Sequence, residues 1–133
     1  MEIVGIDDPN NIAKSLTAER LAGFDAFVVP PDAALSVHEA EVVKLIGLSN
    51  KPAIYPAPDW AESGGLMSFG PDFAEAGRHL ISQLDRVLKG EKLSDLPFDR
   101  PTRFYFSINL RTARAMGIEL PSALLARADK VIE

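Results

Sequence analysis

From Lys51 to Glu75 the chain reads KPAIYPAPDWAESGGLMSFGPDFAE, and its prolines and glycines cut the stretch into short pieces. Proline fixes φ and removes a ladder donor, so Pro56 and Pro58 must end the apolar run Ala53-Ile54-Tyr55. That run has the length and character of a buried parallel strand. Gly64-Gly65 then releases the chain into a second short run, Leu66 to Phe69. Gly70-Pro71-Asp72 opens a helix with proline near its first position. Two strands that each lead into a helix N-terminus indicate an open α/β sheet, whose ligands bind beyond the strand carboxyl ends.

The rest of the chain alternates in the same way, with no linker or low-complexity tract. Glu2–Ile6 reads as a strand, followed by Asp8-Pro9 as cap and first turn of a helix running to about Ala22, closed by Gly23 in the left-handed conformation. Phe24–Val29 reads as the next strand, stopped by Pro30-Pro31-Asp32. Ser36-Val37-His38-Glu39 has the form of a capping box opening a helix with Val42, Val43, Leu45 and Ile46 on its core face. Pro71–Lys89 predicts the longest helix, acidic at its start and basic at its end, with Phe73, Ala76, Leu80, Leu84 and Val87 at i, i+3/i+4 spacing and Ile81 and Leu88 beside them. Arg103–Ile108 alternates with period two, the pattern of a half-buried edge strand. Asn109 caps a short helix ended by Gly117, and Pro121-Ser122 opens a last helix carrying Leu124, Leu125, Ala128 and Val131. Successive βα units predict one α/β domain over residues 1–133, three layers around a mostly parallel sheet of about five strands.

Composition narrows the functional classes. The chain has 133 residues, 47% of them hydrophobic, enough for one sizeable core. No apolar run approaches the ~20 residues needed to span a bilayer. A net charge of −5 opposes binding to a phosphate backbone, so nucleic acid is not expected as a partner. With no cysteine there can be no disulfide, thiol nucleophile or thiolate metal ligand. The two histidines, His38 and His79, lie far apart without a carboxylate at ligand spacing, which argues against a metal site. Neither a GxSxG elbow nor a phosphate-binding glycine loop is present, and no catalytic constellation assembles. The expected protein is not an enzyme and takes no cofactor.

Three loops carry the candidate ligand contacts. Pro31 and Asp32 follow the second strand, where Asp32 could receive an ammonium group or simply serve as turn and cap. Tyr55 and Pro56 follow the third, with Trp60 close behind; the two aromatic rings suit a flat ligand or, equally, the core. Ser68, Phe69 and Gly70 bring a hydroxyl, a ring and a close-approach glycine to a helix N-terminus.

The same residues carry a family resemblance. Lys51-Pro52-Ala53-Ile54-Tyr55, Glu62-Ser63-Gly64-Gly65 and Leu66-Met67-Ser68-Phe69-Gly70-Pro71-Asp72 resemble segments of ABC transporter substrate-binding proteins with the type I periplasmic-binding fold, in the uncharacterised-lipoprotein branch. So do Val87-Leu88-Lys89-Gly90, Asp95-Leu96-Pro97, Arg100-Pro101-Thr102-Arg103-Phe104, Ile108-Asn109-Leu110 and the ending Leu125–Glu133. The resemblance covers the C-terminal portion of such a protein, whose two α/β lobes close on a solute about a hinge. It implies binding of a small solute, such as an amino acid or another polar or aromatic molecule, with an ABC permease as partner and a periplasmic or extracytoplasmic location. Met1–Ile6 does not read as a secretory signal, which implies the cytoplasm if Met1 is the true start.

The resemblance also implies that the helix from Pro71 to Lys89 packs in the N-terminal lobe, which has no counterpart here. Burying apolar side chains of this size is worth ~1.5–3 kcal/mol each, so the bare Phe73, Leu80 and Leu84 stripe predicts a symmetric homodimer. An isolated lobe would offer one wall of the cleft and bind weakly, or act as a self-associating scaffold. A receiver-type phosphorylation switch is the other α/β class of this size, and Asp7-Asp8 imitates its acidic pair. It lacks the expected Asp after the third strand and the Lys after the fifth, so the pair is better explained as a helix cap.

Overall fold

In the computed structural model, residues 2–8, 11–98 and 100–133 are described. The chain divides into two units: residues up to Gly70 together with those from Tyr105 onward, and Pro71–Phe104.

The first unit is built on a five-stranded sheet of β1 (Phe27–Val28), β2 (Ala53–Tyr55), β3 (Met67–Pro71), β4 (Phe104–Asn109) and β5 (Lys130–Ile132), lying side by side in that order. β1 and β2 are parallel with Phe27 opposite Ala53, β2 and β3 are parallel with Tyr55 opposite Ser68, and β4 and β5 are parallel with Ser107 opposite Lys130. Between β3 and β4 the flanking bonds run the other way. Asn109 N–H donates to Leu66 O at 2.9 Å and Asp72 N–H donates to Arg103 O at 3.0 Å, so residue numbers fall on one strand as they rise on the other. The sheet is mostly parallel, as the alternating pattern indicates.

The helices of this unit are α1 (Ile12–Ser15), α2 (Ala18–Ala22), α3 (Ala33–Val37), α4 (Glu39–Leu48), α5 (Pro58–Glu62), α7 (Leu110–Ala115) and α8 (Ser122–Leu125). Val42, Val43 and Ile46 of α4 meet Ile12, Leu16, Leu21, Val29, Ala53, Tyr55 and Trp60 in one buried cluster, with Val4 and Ile6 packed partly against it. Asn109 ties the far side together. It is buried, its amide donates to Ala61 O at 2.8 Å, and its carbonyl oxygen accepts from Thr112 N–H at 3.1 Å to cap α7.

Several expectations need correction. Glu2–Ile6 forms no strand, because β1 is the edge of the sheet and no ladder runs beside it. The strand expected over Phe24–Val29 shrinks to Phe27–Val28. The helix expected from Asp8 to Ala22 is two helices. Thr17 interrupts it by accepting from Arg20 N–H and starting α2, and both halves bury apolar residues, Ile12 and Leu21. Pro9 lies outside the described residues, and Gly23 has φ −76°, not the left-handed value. The capping box at Ser36 is absent. Asp32 caps α3 instead, and the Ser36 hydroxyl donates to Asp32 O at 2.8 Å. β4 is an inner strand, not an edge, because residues 130–132 supply β5 where the sequence suggested a continued helix through Val131.

The second unit is α6 (Phe73–Leu88), a 3-10 turn at Leu93–Asp95 and the extended segment after it. Asp72 caps α6, its carboxylate accepting from Ala74 and Glu75 N–H at 3.0 and 3.1 Å, and Gly90 ends the helix region at φ +96°. Gln83 donates to Pro97 O at 3.1 Å, leaving a groove of about 460 Å³ lined by Ala76, His79, Gln83, Leu93, Pro97 and Phe98 among others. Arg86 holds Glu91 through a bond from Nε at 2.7 Å, which keeps that carboxyl below its usual pKa.

Candidate functional site

The lateral register of the first three strands sets the site. Because Phe27 faces Ala53 and Tyr55 faces Ser68 across parallel pairs, the loops after β1, β2 and β3 leave the sheet at the same end. Two of the sequence-derived segments, Pro31-Asp32 and Tyr55-Pro56, therefore lie at or beyond neighbouring strand ends; the third, Ser68-Phe69-Gly70, is not a loop but part of β3, which runs on to Pro71.

The central loop is fixed from inside. Tyr55 is only 3% exposed and its ring stacks on Trp60 with centroids 5.4 Å apart. Burial pushes its hydroxyl up to about 12. Pro56 and Ala57 are buried as well. Gly65 passes so close that a Cβ there would lie 2.7 Å from both Trp60 O and the Tyr55 ring. Across the row, a Cβ on Gly70 would sit 1.7 Å from Pro56 O. The end of β3 and the β2–α5 loop are thus in backbone contact, and only glycine permits it.

Ser68 and Phe69 split by strand alternation. Ser68 points inward, fully buried, and its hydroxyl has no hydrogen-bond partner among the described residues. Phe69 points outward, 51% exposed, and meets Phe106 edge-on with centroids 6.4 Å apart. Pro31 and Asp32 are exposed on the neighbouring loop, where Asp32 accepts from Leu35 N–H at 3.0 Å as the cap of α3. The structure brings Tyr55, Pro56, Ser68 and Gly70 together at adjoining strand tips. Pro31 and Asp32 stand one strand away at the same end.

Sequence reasoning missed two members of this region. Phe106 is the ring against Phe69, and the alternation of Phe104 and Phe106 was its signal. Ser107, beside it on β4, carries a second buried hydroxyl without a hydrogen-bond partner among the described residues. A separate apolar cavity of about 770 Å³ runs along the β1 edge, lined by Ile3, Val4, Ile6, Val28, Val29 and Asp32 among others. Of the sequence-derived candidates only Asp32 borders it. Among the described residues no group of three or more acidic or histidine side chains could hold a metal ion. Among the described residues, no helix is long and apolar enough to cross a membrane.

Solved structures share this fold. An ABC domain from Streptococcus pneumonia in complex with L-Trp is 30% identical, with a TM-score of 0.87 over 98% of this chain and 45% of that one. A conserved domain protein from Vibrio cholerae has the same fold at 19% identity, with a TM-score of 0.85 over 93% of this chain and 42% of the other. The ligand-free, open structure of a substrate binding protein with adhesive properties from Clostridium difficile matches at 23% identity and a TM-score of 0.64, over 96% and 42%. The chain thus spans less than half the length of each of these proteins. No curated protein sequence matches it. The ABC transporter substrate binding protein family matches residues 6–132, and the chain belongs to that family.

Proposed function

We propose that this chain binds a small amino-acid-like solute for an ABC importer, by binding alone and without catalysis, and that its partner is the membrane permease of that system. The observation that carries the reading is the family match over residues 6–132, joined to a 30% identical relative in complex with L-Trp. The strand-tip loops suit this chemistry. Phe69 offers a half-exposed ring to a flat side chain, and Asp32 offers a carboxylate to an ammonium group. Pro31, Pro56 and Gly70 shape the rim, while Tyr55 and Ser68 support it from the buried side. In a two-lobed protein, closure about a hinge would complete the pocket and present the closed form to the permease, outside the cytoplasmic membrane. One lobe supplies one wall, so affinity of this chain by itself is low.

The test is a backbone-amide NMR titration with L-Trp, L-Phe, L-Ala and a nucleoside at millimolar concentration. Shifts clustered on Asp32, Ser68, Phe69 and Gly70 with the aromatic amino acids, and lost in Phe69→Ala, support the reading. Scattered or absent shifts overturn it. A second reading, self-association, is favoured by the exposure of Phe73, Leu80 and Leu84 on α6. A monodisperse monomer at micromolar concentration in light scattering would refute it.

A further inference from the structure

We propose that Ser68 and Ser107 hold one buried water molecule between them, beneath α5 and one step inboard of the strand tips. Both hydroxyls are fully buried, and neither has a hydrogen-bond partner among the described residues. A buried hydroxyl without a partner costs stability, so native interiors seldom contain one, let alone two on neighbouring strands.

The register makes them a pair. Asn109 N–H donates to Leu66 O across β3 and β4. Two residues inward on each strand, Ser68 stands directly opposite Ser107, and the next step sets Phe69 opposite Phe106, whose rings are in contact. Side chains directly opposite each other share a face. Tyr55 lies beside Ser68 on β2 and Lys130 beside Ser107 on β5, so one row runs Tyr55, Ser68, Ser107, Lys130 across four strands. Both ends of that row are attached to α5. The Tyr55 ring stacks on Trp60, and Lys130 Nζ donates to Glu62 at 2.7 Å. Asn109, on the same face two residues from Ser107, donates to Ala61 O at 2.8 Å. The helix therefore roofs the two hydroxyls. All these residues belong to the first unit, whose own atoms bury the pair, so the site needs nothing from residues before or after this chain.

Spacing selects water over a direct bond. The Cβ atoms of directly opposite residues stand about 4.5–5.5 Å apart. Two hydroxyl oxygens that share one water at about 2.8 Å each are roughly 4–5 Å apart, which side-by-side serines reach without turning toward each other. A direct bond would need them to close to about 2.8 Å, and they do not bond to each other in this structure. Water carries two donors and two acceptors, and each serine hydroxyl one donor and two acceptors, so one molecule satisfies both. The nearby Ala61 O is already taken, accepting from Asn109 Nδ2 and from Gly64 N–H. An ion fits poorly, because two neutral hydroxyls offer no charge to offset its burial. Ser68 stands two residues before Gly70, which touches the Pro56 backbone, so the filled site forms the floor beneath the β2–α5 loop.

A thermal double-variant cycle and a crystal structure that resolves ordered water test this together. Ser68→Ala and Ser107→Ala should each lower Tm by roughly 4–10 °C, since each leaves the other hydroxyl without its bridge. The double variant should lose less than the two single losses combined, because no hydroxyl is then left to satisfy. Density for one water within hydrogen-bond distance of both Oγ atoms is expected in the parent and not in the double variant. Single variants that melt at or above the parent, with additive effects, would reveal two independent unbonded hydroxyls and overturn the proposal. A direct bond between the two Oγ atoms in the crystal, or no density between them, would overturn it whatever the melting temperatures.

Discussion

Gly70→Ala is the most direct probe of how the candidate site is assembled. The added Cβ would lie 1.7 Å from Pro56 O and 2.7 Å from Pro56 C, both backbone atoms at the tip of β2. An ordinary contact needs about 3.4 Å or more, so β3 and the β2–α5 loop would have to part by more than 1 Å. Neither side yields easily, because Tyr55 and Trp60 are stacked beneath the loop and Ser68 is buried in the strand. Overpacking a well-filled region costs about 1–3 kcal/mol, and a clash with backbone belongs at the upper end. For a domain of this size each kcal/mol moves the melting temperature by roughly 4 °C. Gly70→Ala is therefore expected to lower Tm by about 10 °C. Gly47→Ala, in α4 where a Cβ meets nothing within 4 Å, should leave Tm unchanged or raise it by a few degrees, through the ~1 kcal/mol helix advantage of alanine. Differential scanning calorimetry of the two variants reads the contrast. Equal melting temperatures for Gly70→Ala and the parent would refute backbone contact between the two strand tips.

Two further outcomes follow from the same geometry. Tyr55 has its pKa raised by burial to about 12 against an unfolded value of 10.0, so the folded chain holds a proton there that the unfolded chain releases. That contribution is intact below pH 10 and is lost as pH rises through 12, by roughly 2–3 kcal/mol; denaturant melts of a Tyr55→Phe variant should show a correspondingly flatter decline across that window. Asn109→Ala removes the cap on Thr112 N–H and the bond to Ala61 O, both largely shielded from water, and should cost about 2–4 kcal/mol. Urea unfolding that shows a loss below about 1 kcal/mol would contradict the clasp drawn here.

The sequence was most legible where backbone chemistry is local. Pro56 and Pro58 delimited β2 correctly at Ala53–Tyr55, Gly90 marked the end of the α6 region, and Asn109 declared the start of α7, whereas the helix start read at Pro71 falls two residues later, Pro71 closing β3 and Asp72 serving as the cap of α6. Each of those signals acts within a few residues, through φ restriction or a side-chain cap. What failed depended on distant partners. Glu2–Ile6 has the composition of a strand but lies beside an edge with no ladder to join. The central place of β4 was hidden because Lys130–Ile132 shares its apolar spacing with Leu124 and Leu125, so strand and helix readings competed over one short segment. At the site, Pro31-Asp32 and Tyr55-Pro56 were legible as strand ends, whereas Ser68-Phe69-Gly70 reads as a loop and lies within β3. The inward turn of Tyr55 was not legible, because a three-residue strand carries too little alternation to read, and the outward turn of Phe69 was hidden because Gly70 and Pro71 read as the start of a helix and not as the rest of β3.

The excursion from Pro71 to Phe104 begins and ends on hydrogen-bonded neighbours, with Asp72 and Arg103 directly bonded at its base. Its two ends therefore stand about one interstrand spacing apart, roughly 5 Å. A loop anchored at so narrow a doorway makes no demand on the strands beyond that doorway. Thirty-odd residues can be lengthened, trimmed or exchanged there while the ladder beneath keeps its alignment. Variation in that excursion leaves the β2–β3 ladder, and with it the register of Tyr55 opposite Ser68, to be set by the strands themselves.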